Sequence, residues 1–359
     1  MKRLNSIDTF RGLSILWMFL GHLLDWWLVQ GDRWLYYLTY NIVDPIGSSA
    51  FIFIAGVSTA ISLRSRYLRA ETSDEYNEKI IKHEYLFRAS LIFVAAILYN
   101  IFIAITLFNP LYIWTWFVLL TMAVSLFLAW PIFKLSIPYR IIIGISIWIA
   151  NQLLLMALLP YQGTANFFGF LFHIFYHSLD LDAILSFFPF LIFGGVIGEI
   201  LFNIYQINDE RLVRKTLKTR LVYPLILIGI VLITLGIVIR FPEFFLSNRS
   251  FPWMIYTLGI DITLLMILIV FEEFIHLRKK KKKSVLFYFS YYSLTIFLAH
   301  NVLYFLFYRQ LTVYNIWIAI LIVYIAIGFL LKIAYRKFGY RISLKVQIGR
   351  MAKALVKKK

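Results

Sequence analysis

Residues 6–27 read SIDTFRGLSILWMFLGHLLDWW. The stretch has the length and apolar character of a membrane helix, yet it carries Asp8, Arg11, His22 and Asp25. An ionisable side chain at mid-bilayer costs about 2.5–3.5 kcal/mol on insertion scales. Four such groups in one segment need a reason. Arg11 and His22 lie 11 residues apart, and at about 100° per residue that returns to nearly the same face three turns on. The rise between them is about 16 Å, roughly half the hydrocarbon thickness. Asp8 sits one turn before Arg11 and Asp25 one turn after His22, so Asp8, Arg11, Ile15, Met18, His22 and Asp25 form one stripe. A neutral imidazole at His22 can take a proton, and Asp25 can orient it and stabilise the protonated ring. Arg11 can hold a phosphate, with Asp8 fixing its guanidinium. A plainer reading makes Asp8–Arg11 an i,i+3 pair at a helix start and His22 a buried hydrogen-bonding residue.

Working outward, the chain is 61% hydrophobic and 15% charged, against roughly half and a quarter in soluble domains. Its mean hydropathy is +0.79. Repeated apolar runs near 20 residues predict an all-α, polytopic membrane protein, because only closed helices or barrels satisfy backbone groups in lipid. The runs do not alternate apolar and polar residues, which argues against a barrel. There is no cysteine, so disulfides and thiolate sites are excluded. The first apolar run begins with Arg11 and lacks a small-residue cleavage site, so it reads as a retained helix and not as a signal peptide.

Ten transmembrane spans are predicted, at about 10–29, 45–63, 88–107, 111–133, 139–159, 184–205, 221–240, 252–272, 285–308 and 314–335. Of the 36 Lys and Arg residues, 31 fall in alternate loops on one side together with both termini. Arg33, Arg240, Arg249 and Arg309 fall on the other. By the positive-inside bias both termini are cytoplasmic. A basic chain of this pattern needs no nucleic acid to explain its +18 charge. Loop 64–88 is expected to form a cytoplasmic surface helix capped near Thr72 or Ser73, and the aromatic loop 160–183 a short helix or re-entrant piece in the outer interface. The run Arg278–Lys283 and the basic tail 336–359 read as orientation signals resting on anionic lipids. No soluble domain or convincing repeat interrupts the chain, so residues 1–359 are taken as a single membrane domain, and a homodimer is compatible with it.

These residues carry a resemblance. IDTFRGLSILWMFLGH, with its Arg–ten residues–His spacing, resembles the opening of the transmembrane acyltransferase superfamily, in particular acyltransferase-3 membrane enzymes. RLNSIDTFRG is closer to the heparan-alpha-glucosaminide N-acetyltransferase branch. Asp44–Leu63 resembles that branch's second helix, and Leu179–Glu199 its Asp-Pro-Glu-Gly segment and the glycine-rich helix after it. Phe289–Tyr304 resembles the Ser-Tyr-x-x-Tyr-Leu-x-His helix late in acyltransferase-3 proteins. The resemblance implies a ten- or eleven-helix acyltransferase. It would move an acetyl or other short acyl group from cytoplasmic acyl-CoA, with acetyl-CoA as the expected donor, to a sugar hydroxyl or amine of an extracytoplasmic glycan or glycolipid. It implies that Arg11, with Asp8, binds the CoA phosphate and that His22, with Asp25, is the acid/base. It implies further that Asp44, Ser48, Ser49, Asp180, Asp182, Ser293 and His300 line the acceptor or active cavity, with no metal required. The chain departs from the heparan branch in three places. YYLTYNIVD lacks the histidine of that branch's first lumenal loop, His22 stands where the branch has asparagine, and Asp180-Leu-Asp182 lacks the proline and glycine. The first two departures count against amine acetylation by the heparan-type route.

Other groups stand apart from the stripe. His173, His177 and Asp180 fall at i, i+4 and i+7, a metal-ligand spacing on a helix, although an interfacial aromatic helix with polar groups facing headgroups explains them more simply. Asp261 lies within the eighth span and is expected to face the interior. Asn248-Arg249-Ser250 is a glycosylation sequon on the predicted outer side. The rival to an acyltransferase is a proton-coupled transporter or flippase for a polar or lipid-linked solute. Intramembrane His, Asp and Arg groups suit it equally well, but the two related halves with paired broken helices are missing from the sequence.

Overall fold

A helix closes its own backbone hydrogen bonds, and that requirement organises the computed structural model of this chain. It describes residues 4–43, 46–72, 76–177, 181–239, 250–275 and 283–356. Helices dominate, and among the described residues there is no strand, only one bridge between Leu28 and Leu311. In order the helices are α1 Asn5–Trp27, α2 Trp34–Val43, α3 Ser48–Glu71, α4 Glu78–Thr106 and α5 Val118–Ile132. Then come α6 Ile137–Leu158, α7 Phe167–Phe175, α8 Ile184–Ile204, α9 Glu210–Thr216 and α10 Tyr223–Ile239. The last five are α11 Phe251–Phe274, α12 Val285–Tyr291, α13 Ser293–Ala299, α14 Ile316–Lys337 and α15 Leu344–Val356.

Among the described residues, eight helices are long and apolar enough to cross a membrane, with α9 and α10 joined as one, and a ninth if α12 and the Ser293–Phe305 segment count as one bent span. The helix α1 has 23 residues, but its ionisable groups keep it below the same apolar standard. Two sequence expectations change. Among the described residues loop 64–88 holds no separate surface helix, and Ser73 lies outside them. Instead α3 continues to Glu71, and α4 starts at Glu78 under an Asn77 cap whose side chain accepts from the Ile80 amide at 3.1 Å. Arg66 meets the buried Glu84 at 3.1 Å, so these polar extensions hold each other. The span expected at 285–308 is broken, with a 76° bend at Tyr292.

The chain divides into two compact units. The first is built mainly from Ile52–Ile262, the second from Arg3–Phe51 and Thr263–Arg350. In the first, α8 is buried along nearly its whole length. Its run FGGVIGE lets α3 approach to backbone contact. A Cβ on Gly56 would overlap the Leu191 carbonyl, and one on Gly194 the Phe53 carbonyl. Small residues allow such approach where lipid supplies no hydrophobic drive. One buried ionic knot joins the same helices. Arg140 Nη1 lies 2.6 Å from Glu199, its Nε and Nη2 donate to the carbonyls of Leu135 and Phe133, and Arg64 reaches the other Glu199 oxygen. In the second unit α1 packs through Ile15 and Phe19 on Phe289, Tyr292 and Ile296.

Two outcomes are expected from this packing. Gly56→Ala should cost about 1–3 kcal/mol, because the backbone of α8 cannot yield, whereas Gly21→Ala, with open space around its Cβ, should not lower stability. Thermal unfolding in detergent checks both. Glu199→Leu should cost about 3–5 kcal/mol by stranding the buried Arg140, and adding Arg140→Met should recover much of that loss.

Candidate active site in the second unit

The start of α1 has no side-chain cap of its own. Glu272, at the end of α11, supplies one, accepting from the amides of Asn5 at 2.8 Å and Ser6 at 2.7 Å. A helix start leaves unpaired amides and a partial positive charge, and a buried carboxylate answers both.

One turn further on, Arg11 lies 3.5 Å from Asp8 and donates to Ser290 Oγ at 3.3 Å, while Ser290 Oγ donates to Asp8 at 3.0 Å. The pairing expected within the stripe is therefore present, with Ser290 as its third member. The Arg11 side chain keeps 13% exposure. A second cation stands beside it. Lys345 Nζ donates to the Ser290 carbonyl at 2.6 Å. Nothing local in the basic tail marks Lys345 as a neighbour of Arg11.

The Lys345 bond exists because the helix is broken. At Tyr292 the backbone leaves helical geometry (φ −99°, ψ 16°), and α12 and α13 part. A break leaves carbonyls without their helical donors, and partners elsewhere must supply them. Lys345 takes that of Ser290, and Ser343 Oγ takes that of Tyr291 at 2.8 Å. Tyr292 itself is buried, its hydroxyl donating to the Gly339 carbonyl at 2.6 Å.

Beyond the break, α13 gives way at His300 to a tighter 3₁₀ turn through Phe305. This places His300 against His22, with ring centroids 5.0 Å apart and planes at 37°. Trp26 stacks on both, at 5.0 Å from His22 and 5.7 Å from His300, and Phe19 lies 5.6 Å from His300. His300 Nδ1 lies 2.5 Å from the Phe297 carbonyl, which can only accept. Nδ1 therefore carries the hydrogen, and in the neutral ring Nε2 holds the free lone pair. Asp25 does not orient His22. Its carboxylate takes Arg33 at 2.5 Å, and no hydrogen bond to His22 is present among the described residues.

The remaining expected residues are distributed as follows. Ser293 is buried at the start of α13. Ser48 and Ser49 open α3, Ser49 fully buried. Asp182 belongs to the first unit, where its amide donates to the Trp116 carbonyl at 3.0 Å and its carbonyl accepts from Thr121. Asp44, Asp180, Asn248 and Arg249 lie outside the described residues. His173 and His177 have rings 4.7 Å apart, but they do not share a helix face. The helix α7 ends at Phe175, and His177 turns into the left-handed region at φ +67°, with Nε2 3.3 Å from Thr115 Oγ1. Burial lowers the His173 pKa from the ordinary imidazole value. Among the described residues no three metal-ligating side chains converge. Asp261 is buried in α11, and among the described residues neither carboxylate oxygen has a hydrogen-bond partner.

Apolar spans, a buried ionic seam and a paired-histidine centre define an integral, multi-pass, helical membrane protein with a polar site inside one of its units. The family model described as "Heparan-alpha-glucosaminide N-acetyltransferase, catalytic" matches residues 3–233, more than half of the chain, and the chain belongs to that family of membrane acetyltransferases. Comparison with curated proteins gives no significant match. The family match covers Asp8, Arg11, His22 and Asp25 but ends before Ser290, His300 and Lys345.

Ser343→Ala should destabilise the protein by about 1–3 kcal/mol, the usual cost of stranding a buried polar group. Thr106→Ala, at an exposed hydroxyl that bonds only its own helix, should change stability by less than about 0.5 kcal/mol. Paired melting curves in one detergent decide the comparison.

Proposed function

We propose that the chain transfers an acetyl or other short acyl group from cytoplasmic acyl-CoA to a sugar hydroxyl or amine of an extracytoplasmic glycan or glycolipid. The observation that carries this reading is the His22–His300 pair, 5.0 Å apart, on the helix whose start bears the Arg11 cluster. With α1 and the bent α12–α13 pair each counted as a span, the eight apolar helices become ten. The Lys and Arg bias then supports a cytoplasmic Arg11 end of α1 and cytoplasmic termini.

On this reading Arg11 and Lys345 hold the phosphates of the donor, which supplies the activated acyl group. Asp8 and Ser290 position Arg11. Two cations on one serine fit a phosphate better than Arg11 alone. The histidine pair accepts the proton of the acceptor hydroxyl or amine as its oxygen or nitrogen attacks the acyl carbon. His300 Nε2 or a His22 nitrogen takes it, and the departing sulfur regains a proton from the pair. Trp26 stacks on both rings, and Phe19 and Phe297 keep water from the buried His300.

The test is labelled acetyl-CoA with membranes containing the protein, followed by mass spectrometry of extracted glycans and glycolipids. His22→Ala should abolish transfer, and His300→Ala should lower it by about 10²–10⁴-fold, while both retain stabilisation by acetyl-CoA. Arg11→Ala should weaken acetyl-CoA binding by about 10–100-fold, the worth of one charge-assisted hydrogen bond. Full turnover by His22→Ala would sink the mechanism. Solute movement with no response to acyl-CoA would instead favour a transporter.

A further inference from the structure

Away from the histidine pair, the first unit holds a second polar place. The ends of α3, α5, α6 and α8 enclose a shallow pocket, open to the surface, with about 300 Å³ of unfilled space. Its polar lining is Arg64, Tyr67, Lys134, Arg140 and Glu199, and Trp130 forms part of its wall. Three cations thus share a pocket with one carboxylate. Charge among membrane helices is normally paired, so the surplus needs an account.

The three cations are held in different ways. Arg140 belongs to the fold. It is buried, and its Nη1, Nε and Nη2 are engaged by Glu199 and the carbonyls of Leu135 and Phe133. Arg64 bonds the same Glu199, so two guanidiniums divide one negative charge, and the Arg64 side chain keeps 38% exposure. Lys134 Nζ lies 2.5 Å from Glu78, but the two side chains are 46% and 58% exposed. An ion pair that open contributes little and is readily exchanged. With Glu78 included, three positive charges meet two negative ones, and one positive charge is left over at the mouth.

The surroundings suit a headgroup. By the Lys and Arg bias this is the cytoplasmic end of the four helices. Lys134 Nζ lies 5.1 Å from the centre of the Trp130 ring, and tryptophan and tyrosine gather at headgroup level. On the same helices Leu128 of α5 and Tyr139 and Ile142 of α6 are exposed, an apolar surface for acyl chains to cover. A run such as Arg278–Lys283 offers charge without walls. Here the charge lines a cleft between helices, the arrangement that selects individual anionic lipids.

We propose that this pocket binds the phosphodiester of an anionic glycerophospholipid, with Arg64 and Lys134 as its donors. The single negative charge of the phosphodiester cancels the surplus. Arg64 offers a planar fork and Lys134 a point charge, while Glu78 is released to water. A zwitterionic headgroup brings its own cation beside these two and is disfavoured. The inference concerns the first unit only and does not depend on the acyltransferase reading.

The full chain in detergent provides the test. It is mixed with dioleoyl phosphatidylglycerol or dioleoyl phosphatidylcholine, and retained lipid is read by native mass spectrometry. Phosphatidylglycerol should be retained in preference to phosphatidylcholine and should raise the melting temperature. Lys134→Ala and Arg64→Gln should each weaken its binding by about fivefold, the worth of one basic residue at an anionic surface. Lys134 is exposed, and Arg64→Gln leaves Glu199 with Arg140, so both variants should fold, which lipid-free melting curves check. Lys353→Ala, in the exposed part of the basic tail, should bind as the unaltered chain does. Saturating acetyl-CoA should not displace the lipid. Equal retention of the two lipids, unchanged affinity in Lys134→Ala and Arg64→Gln, or the same loss in Lys353→Ala would overturn the site. Displacement by acetyl-CoA would overturn it as well, and would make the pocket part of a donor site.

Discussion

The second unit depends on two carbonyls, those of Ser290 and Tyr291, that α12 cannot satisfy once it breaks at Tyr292. In hydrocarbon an unpaired carbonyl costs several kcal/mol, so a broken helix needs partners from elsewhere in the chain. Lys345 and Ser343 supply them. The consequences propagate in both directions. Before the break, Ser290 turns its hydroxyl toward Asp8 and Arg11. After it, the segment runs at a new angle, and His300 meets His22. A straight helix over 285–308 would keep a single direction and could not follow α1 in this manner. The segment from Gly339 to Lys345 is therefore part of the site's framework as well as a basic tail.

How much of this was legible in the sequence follows from which forces act locally. The stripe on α1 was, because a helix repeats every 3.6 residues whatever surrounds it. Asp8 and Arg11 meet as that periodicity requires. The short helix in the 160–183 loop was legible too, as a run of aromatic residues without Lys or Arg. The break at Tyr292 was not. No glycine or proline marks it, and its compensating donors lie some 50 residues downstream. The partner of Asp25 was hidden for a similar reason. Arg33 lies past the end of α1 and reaches back, whereas helical spacing alone pointed to His22. Hydropathy also missed the polar extensions of α3 and α4, since an ion pair and an asparagine cap continue a helix that apolar windows end.

Family membership bears on the halves of the site unequally. The match through residue 233 takes in α1 and the glycine-packed α3 and α8. Ser290, His300 and Lys345 lie beyond it; His300 was expected from the resemblance of Phe289–Tyr304, whereas the place of Lys345 rests on geometry alone. The expected lumenal-loop histidine of the heparan branch has no counterpart in YYLTYNIVD. A second imidazole is nonetheless present, delivered by the segment after the break. The chemistry of a proton acceptor depends on where the ring sits and not on which loop carries it.

The cost of ionisable groups in α1 now has a specific account. Asp8 and Arg11 face each other with Ser290 between them, and Asp25 faces Arg33. Each charge is met by an opposite one, which makes its place in an apolar helix tolerable. His22 is treated differently. Among the described residues it receives no carboxylate and no hydrogen bond, only Trp26 and the ring of His300. A structural histidine would be secured as its neighbours are, by a fixed donor or acceptor. A ring left to aromatic walls and a second imidazole keeps its lone pair available. In a helix where every other ionisable group is neutralised, the proposed reading makes the unneutralised ring the one that exchanges a proton.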